Sequence, residues 1–157
     1  MTISNYFIKK KIKSLIDSAG DRKSVFKSYN QLKSVLVMYE MKDFENVQHG
    51  ISELKRSGKQ VVSFGYVRKE AIPELDDSYR FVVEKNALSV HGVPTDAVLQ
   101  QVLACSPDVI IDLTHAGCYG MQYLLVKHPC NFKIGIKKLE REFHDFSILV
   151  TDRDEID

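Results

Sequence analysis

The chain has 157 residues, 44% of them hydrophobic and 27% charged, with a formal net charge of +1. That length suits one domain of ordinary size and that composition excludes a disordered chain. No apolar run reaches the roughly 18–20 residues of a membrane span.

The N-terminal lysines are followed by neither an apolar h-region nor a small-residue cleavage site, so no signal peptide is read. Cys105, Cys118 and Cys130 are odd in number and lack CxxC spacing, which argues against a disulfide framework. The expected location is cytoplasmic, with peripheral contact at the inner face of the membrane as an extension. Charge is unevenly spread. Residues 1–34 hold eight Lys and Arg against two Asp, a net of +6, and the remainder holds 14 against 19, a net of −5. Such a split marks an arm that meets something acidic, the protein's own body included.

In chain order, "ISNYFIKKKIKSLIDSAG" sets Ile8, Ile12, Leu15 and Ile16 at helical spacing with lysines opposite, and Gly20 is a plausible stop. "DRKSVFKSYNQLKS" reads as a linker or loose arm, so residues 1–33 form a basic helix-plus-arm and 34–157 the main domain. "VLVMY" is a continuous apolar run, the mark of a strand covered on both faces. A helix follows with Phe44, Val47, Ile51 and Leu54 in register, Asp43 as N-cap and Gly58 at its end. "QVVSFGYV" and "YRFVVEK" are strands, "TDAVLQQVLAC" a helix capped by Thr95, "DVIIDLT" a strand, "GCYGMQYLLVKH" a helix, and "FKIGI" and "DFSILV" strands.

Strands alternating with helices imply parallel pairing. The expected fold is an α/β three-layer sandwich, Rossmann-like or flavodoxin-like, with a mostly parallel sheet, strand order 3-2-1-4-5, and an extra basic N-terminal helix. "DVIIDLT" should have a neighbour on each side. Ligands of such folds sit beyond the carboxyl ends of the strands, where the strand order reverses. That edge gathers Glu40 and Asp43 after the first strand, Tyr66 and Arg68 after the second, Thr114 and His115 after the fourth and Lys137 after the fifth.

The turn after the first strand, "YEMKDFENV", has no glycine and carries Glu40, Asp43 and Glu45, which repel a pyrophosphate. No dinucleotide or other cofactor is expected. His115, Cys118, His128 and Cys130 have ligand chemistry, but a helix of roughly 15 Å separates the two pairs, whereas zinc ligands lie within ~2.3 Å of the ion. No metal is expected. Cys118 beside His115 resembles a nucleophile–base pair, yet no nucleophile elbow surrounds it. Asp112, inside a strand, is expected to bond a neighbouring backbone group. Thr114 is expected to cap the following helix through its hydroxyl, leaving His115 exposed.

The basic helix lacks the arginines and aromatic platform that nucleic-acid binding calls for, so no nucleic acid is expected. Its Ile8–Ile12–Leu15 stripe is expected to dock on protein: its own domain, a second copy, or another partner. Contact with a membrane surface is the alternative.

"VLVMYE", "GKQVVSFGYV", "LSVHGVP", "PDVIIDLT" and "FKIGIKK" together resemble an uncharacterised bacterial family, found mainly in Bacteroidota and known only as a domain of unknown function. The resemblance runs from "YFIKKKIKSL" to the last strand and implies no activity. More distantly, "PDVIIDLTHAGCYGMQYLLVKHPCNFKIGIKK" is similar to the N-terminal, acceptor-side domain of heptosyltransferase-type glycosyltransferases, with Asp108, Ile110, Ile111, Asp112, Leu113, Ile134, Gly135 and Lys137 at comparable places. This resemblance implies a stand-alone half of such an enzyme, with Asp43 near the position of the family's catalytic base but without the preceding glycine. The expected function is non-catalytic binding or assembly. The alternatives are a small glycosyltransferase-like or hydrolytic enzyme using Asp43, Thr114 and His115, with Glu40, Tyr66, Arg68 and Lys137 in the ligand shell, and a membrane-surface protein acting through the basic helix.

Overall fold

A computed structural model describes residues 3–20, 23–137 and 143–149. The elements run α1 (Ile3–Ser18), β1 (Ser34–Glu40), α2 (Phe44–Arg56), β2 (Gln60–Val67), β3 (Tyr79–Val83), the single-turn α3 (Glu84–Ala87), α4 (Asp96–Leu103), β4 (Val109–Asp112), α5 (Tyr119–Lys127), β5 (Lys133–Ile136) and β6 (Phe146–Ile148). The six strands form one sheet in the order β3-β2-β1-β4-β5-β6, and every pairing is parallel. The expected order holds, and β6 extends it beyond β5. β4 lies between β1 and β5, as its apolar continuity predicted.

Alternation along the strands divides the core. Leu36, Met38, Phe64, Val82 and Ile110 pack against Val102 of α4 and Met121, Leu124 and Leu125 of α5. Val35, Val37, Tyr39, Val61 and Val109 pack on the other face against Val47 and Ile51 of α2. Both faces are thus covered, which is why β1 reads as an unbroken apolar run, six of its seven residues being buried. The result is a three-layer Rossmann-like α/β sandwich.

α1 packs outside these layers. Ile8 and Ile12 are buried against Tyr123 of α5, with Leu15, Ile16 and Val93 around them. The stripe therefore docks on the chain's own domain. The helix ends at Ser18, whose hydroxyl donates to the Leu15 carbonyl, and Gly20 just beyond it takes the left-handed conformation (φ 62°).

The arm that follows is fastened to the amino edge of the sheet. Val25 N–H donates to the Asn131 carbonyl, the Phe26 ring meets Phe132 edge-on, and Lys27 pairs with Asp108. Asp108 also accepts the N–H groups of Lys33 and Ser34, so a single carboxylate holds the entry to β1.

Candidate functional site

The strand order reverses between β1 and β4, the place where open parallel sheets leave a crevice at their carboxyl edge. Glu40 is the last residue of β1. A single turn of 3-10 helix, Met41–Asp43, then leads to α2 with Asp43 at its N-cap. Arg68 follows β2, and the Thr114–Cys118 turn joins β4 to α5. Three chain segments therefore meet at one point.

The Glu40 carboxylate organises them. Its side chain is only 3% exposed, and both oxygens are used. Oε1 accepts from Nη1 of Arg68 at 2.7 Å and Oε2 accepts from the His115 backbone N–H at 2.8 Å. Strand β1 is thereby tied to the loops after β2 and β4. Arg68 also lies 3.7 Å from Glu84 and 5.3 Å from the centre of the Tyr66 ring. Burial, the largest single influence, opposes the guanidinium's charge, but Glu40 together with Cys118 and Tyr66 more than offsets it, and the Arg68 pKa is raised. Tyr66 is in β2 and buried, and burial, followed by the charge of Glu84, pushes its hydroxyl well above the usual phenol range.

His115, like Arg68, is accessible, its side chain 39% exposed, and its Nε2 lies 2.8 Å from Oδ2 of Asp43. Asp43 makes no side-chain cap on α2, so its carboxylate serves the imidazole instead. A histidine oriented by a carboxylate, with a guanidinium near its backbone, can accept or donate a proton and hold a polar or anionic group.

The structure brings Glu40, Asp43, Arg68 and His115 together and places Tyr66 beneath Arg68. Thr114 sits one step further in. It is fully buried, and both its N–H and its hydroxyl donate to Oδ1 of Asp112, at 3.1 and 2.6 Å. It does not cap α5, which begins only at Tyr119 with Cys118 as its N-cap; its hydroxyl donates to the buried Asp112 carboxylate instead. Asp112 does bond a neighbouring backbone N–H, that of Thr114, and its Oδ2 meets Nε2 of His144 at 3.0 Å. Lys137 is exposed just past β5, where its backbone N–H donates to Ile148.

The Cys/His pairs lie on either side of α5, as the spacing implied. His128 has both ring nitrogens engaged, Nε2 with the Cys105 carbonyl and Nδ1 with the Cys130 N–H. Burial lowers its pKa, which favours the neutral ring. Sequence spacing missed a different group. Glu40, Asp43 and His115 offer ligand atoms within 4.8 Å of one another. Those atoms are already committed to Arg68, to a backbone N–H and to each other. Lys133 was also missed. It is buried at the start of β5, donating to the Leu125 and His128 carbonyls at the end of α5, where an ammonium suits the helix dipole. At the opposite, amino edge lies a hollow of about 270 Å³ lined by Lys27, Cys105, Asp108, His128 and Asn131 among others.

No curated protein and no solved structure matches this chain. A family-level match spans residues 5–156, covering the basic helix, the six strands and the turn that carries His115. The chain belongs to a family of unknown function, DUF6913.

Proposed function

We propose that this protein is a binding domain for a small polar or anionic ligand, held at the carboxyl edge of the sheet between β1 and β4. The observation that carries this reading is the meeting of Glu40, Asp43, Arg68 and His115 at the reversal of strand order. Glu40 acts as an internal bracket, and His115, Asp43 and Arg68 offer the outward polar groups. Kinship with the acceptor half of a glycosyltransferase would put a sugar at this same edge, and a cytoplasmic location would suit a domain of this type. A thermal-shift screen of sugars, nucleotides and small organic anions tests the proposal. A ligand that stabilises the native chain should lose most of its effect in His115→Ala and in Asp43→Asn, both folded. Undiminished stabilisation in both variants would move the ligand elsewhere.

A second reading is favoured by the 2.8 Å contact between His115 and Asp43. A carboxylate-oriented imidazole is a general base, so a hydrolytic or transfer reaction could run here. In that case Asp43→Asn should abolish turnover while leaving ligand affinity within a fewfold of native.

A further inference from the structure

We infer that the outer face of α1, together with the loop after α3, is a docking surface for an anionic lipid bilayer. The inner stripe of α1 is spent on α5, so its apolar residues should end there. They do not. Ile3 is 79% exposed and Phe7 48%, and Tyr6 is exposed beside them. At the helical step of ~100° per residue, Ile3, Phe7 and Lys10 share one outward face with Tyr6 and Lys13 at its border.

The adjoining loop continues the patch. The Phe7 ring meets His91 edge-on at 5.4 Å, and Val90 is 89% exposed. The loop is held there because Gly92 (φ 74°) brings the backbone against Ser4 and Ile8, each 3.8 Å from where its Cβ would be. Tyr6 meets Phe7 edge-on at 5.8 Å, so the two rings form one aromatic patch.

Charge decides the occupant. α1 carries Lys9, Lys10, Lys11 and Lys13 against Asp17 alone. Lys9 and Lys11 lie over Tyr119 and Tyr123 of α5, at 4.9 and 5.9 Å from the ring centres. Lys10 and Lys13 are exposed on the outer side. A second copy meeting this face by two-fold symmetry would press two such basic arms together. Nucleic acid would gain nothing from Ile3 and Val90. An anionic bilayer satisfies both halves of the patch: apolar and aromatic side chains enter the interface while lysines stay among the headgroups. α1 itself carries a net +3 while residues 35–157 carry −5, so an anionic surface would also orient the molecule with this face toward it.

The test is sedimentation of the full chain with vesicles of phosphatidylcholine alone or with about one third phosphatidylglycerol, at low and high salt. Binding should require the anionic lipid and fall as salt rises. Each lysine near such a surface changes affinity about fivefold, so Lys10→Glu with Lys13→Glu should weaken binding by well over tenfold. Ile3→Ser with Phe7→Ser should weaken it about tenfold or more. The lysine pair should leave the melting temperature unchanged, because both side chains are exposed; Phe7→Ser gives up the ring contact with His91 and lowers it slightly, so binding is measured well below the transition. The inference is overturned if the native chain ignores lipid charge, if the lysine pair binds as the native chain does, or if the chain self-associates through Phe7 without binding vesicles.

Discussion

Replacing Glu40 by Gln removes one charge and almost no volume, so it isolates what the carboxylate does. Two donors face this side chain, the Arg68 guanidinium at 2.7 Å and the His115 N–H at 2.8 Å. A carboxylate accepts both. A glutamine amide has one oxygen and one NH₂, and in either orientation an N–H is set against an N–H. One bond is lost outright, and a buried donor loses its partner. Hydrogen bonds to charged groups contribute about 1.5–3 kcal/mol. Arg68 is 42% exposed, which places its bond at the lower end because water can replace Glu40. The backbone bond to His115 is less accessible and keeps more of its value. A loss of about 2–3 kcal/mol follows, or roughly 5–10 °C in Tm for a chain of this size. Urea unfolding followed by circular dichroism at neutral pH measures it. Arg68→Gln and the double variant complete a cycle whose coupling should exceed ~0.5 kcal/mol. A Glu40→Gln loss below ~0.5 kcal/mol, or strict additivity with Arg68→Gln, would refute the bracket role.

Three further substitutions probe the frame around the site. A Cβ at Gly135 would lie 2.4 Å from Nε2 of His144 and 2.8 Å from the Asp112 backbone oxygen, so Gly135→Ala should cost about 2–3 kcal/mol in an unfolding titration, since backbone on one side cannot yield. Among the described residues the buried Tyr39 hydroxyl has no hydrogen-bond partner, and burial pushes its pKa up to about 12. Tyr39→Phe should therefore leave stability unchanged or raise it by up to ~1 kcal/mol, and a loss above that would reveal a missing partner. Lys27, followed by the Lys33 and Ser34 N–H groups, holds the Asp108 pKa far below the usual carboxylate range. Its contribution is full above the unfolded value of about 3.9 and fades as pH falls toward the depressed folded value. Asp108→Asn should thus cost about 1 kcal/mol at pH 7, and its deficit against the native chain should shrink below pH ~3.5.

Whatever depends on side-chain period was readable in the chain. "VLVMY" announced a strand buried on both faces and "DVIIDLT" an interior strand, while Gly58 sits just past the end of α2 in the left-handed conformation its position required. The strand-end inventory followed from topology alone, since alternating strands and helices place every βα turn on one edge. What sequence could not supply is which groups on that edge bond to which. Asp43 and His115 are 72 positions apart, and as an N-cap Asp43 might equally have bonded its own helix. Thr114 could have accepted a helix N–H as a cap or donated to a carboxylate, and the buried Asp112 takes its hydroxyl. Lys133 is ordinarily a surface residue type. Its burial follows from the open carbonyls at the end of α5, which exist only once the helix is packed. The arm after α1 looked loose because its Val25 N–H and Lys27 side chain find their partners, Asn131 and Asp108, about a hundred positions downstream in the folded sheet.

The central claim is that the β1/β4 crevice holds the ligand, and backbone amide shift mapping during titration with a stabilising compound tests it most directly. The account predicts perturbations concentrated at Glu40–Asp43, Arg68 and His115–Cys118, with the His115 ring signals moving at the same ligand concentration. Perturbations gathered instead at Cys105–Asp108 and His128–Asn131, around the hollow on the amino edge, with Glu40 and His115 unmoved, would contradict it.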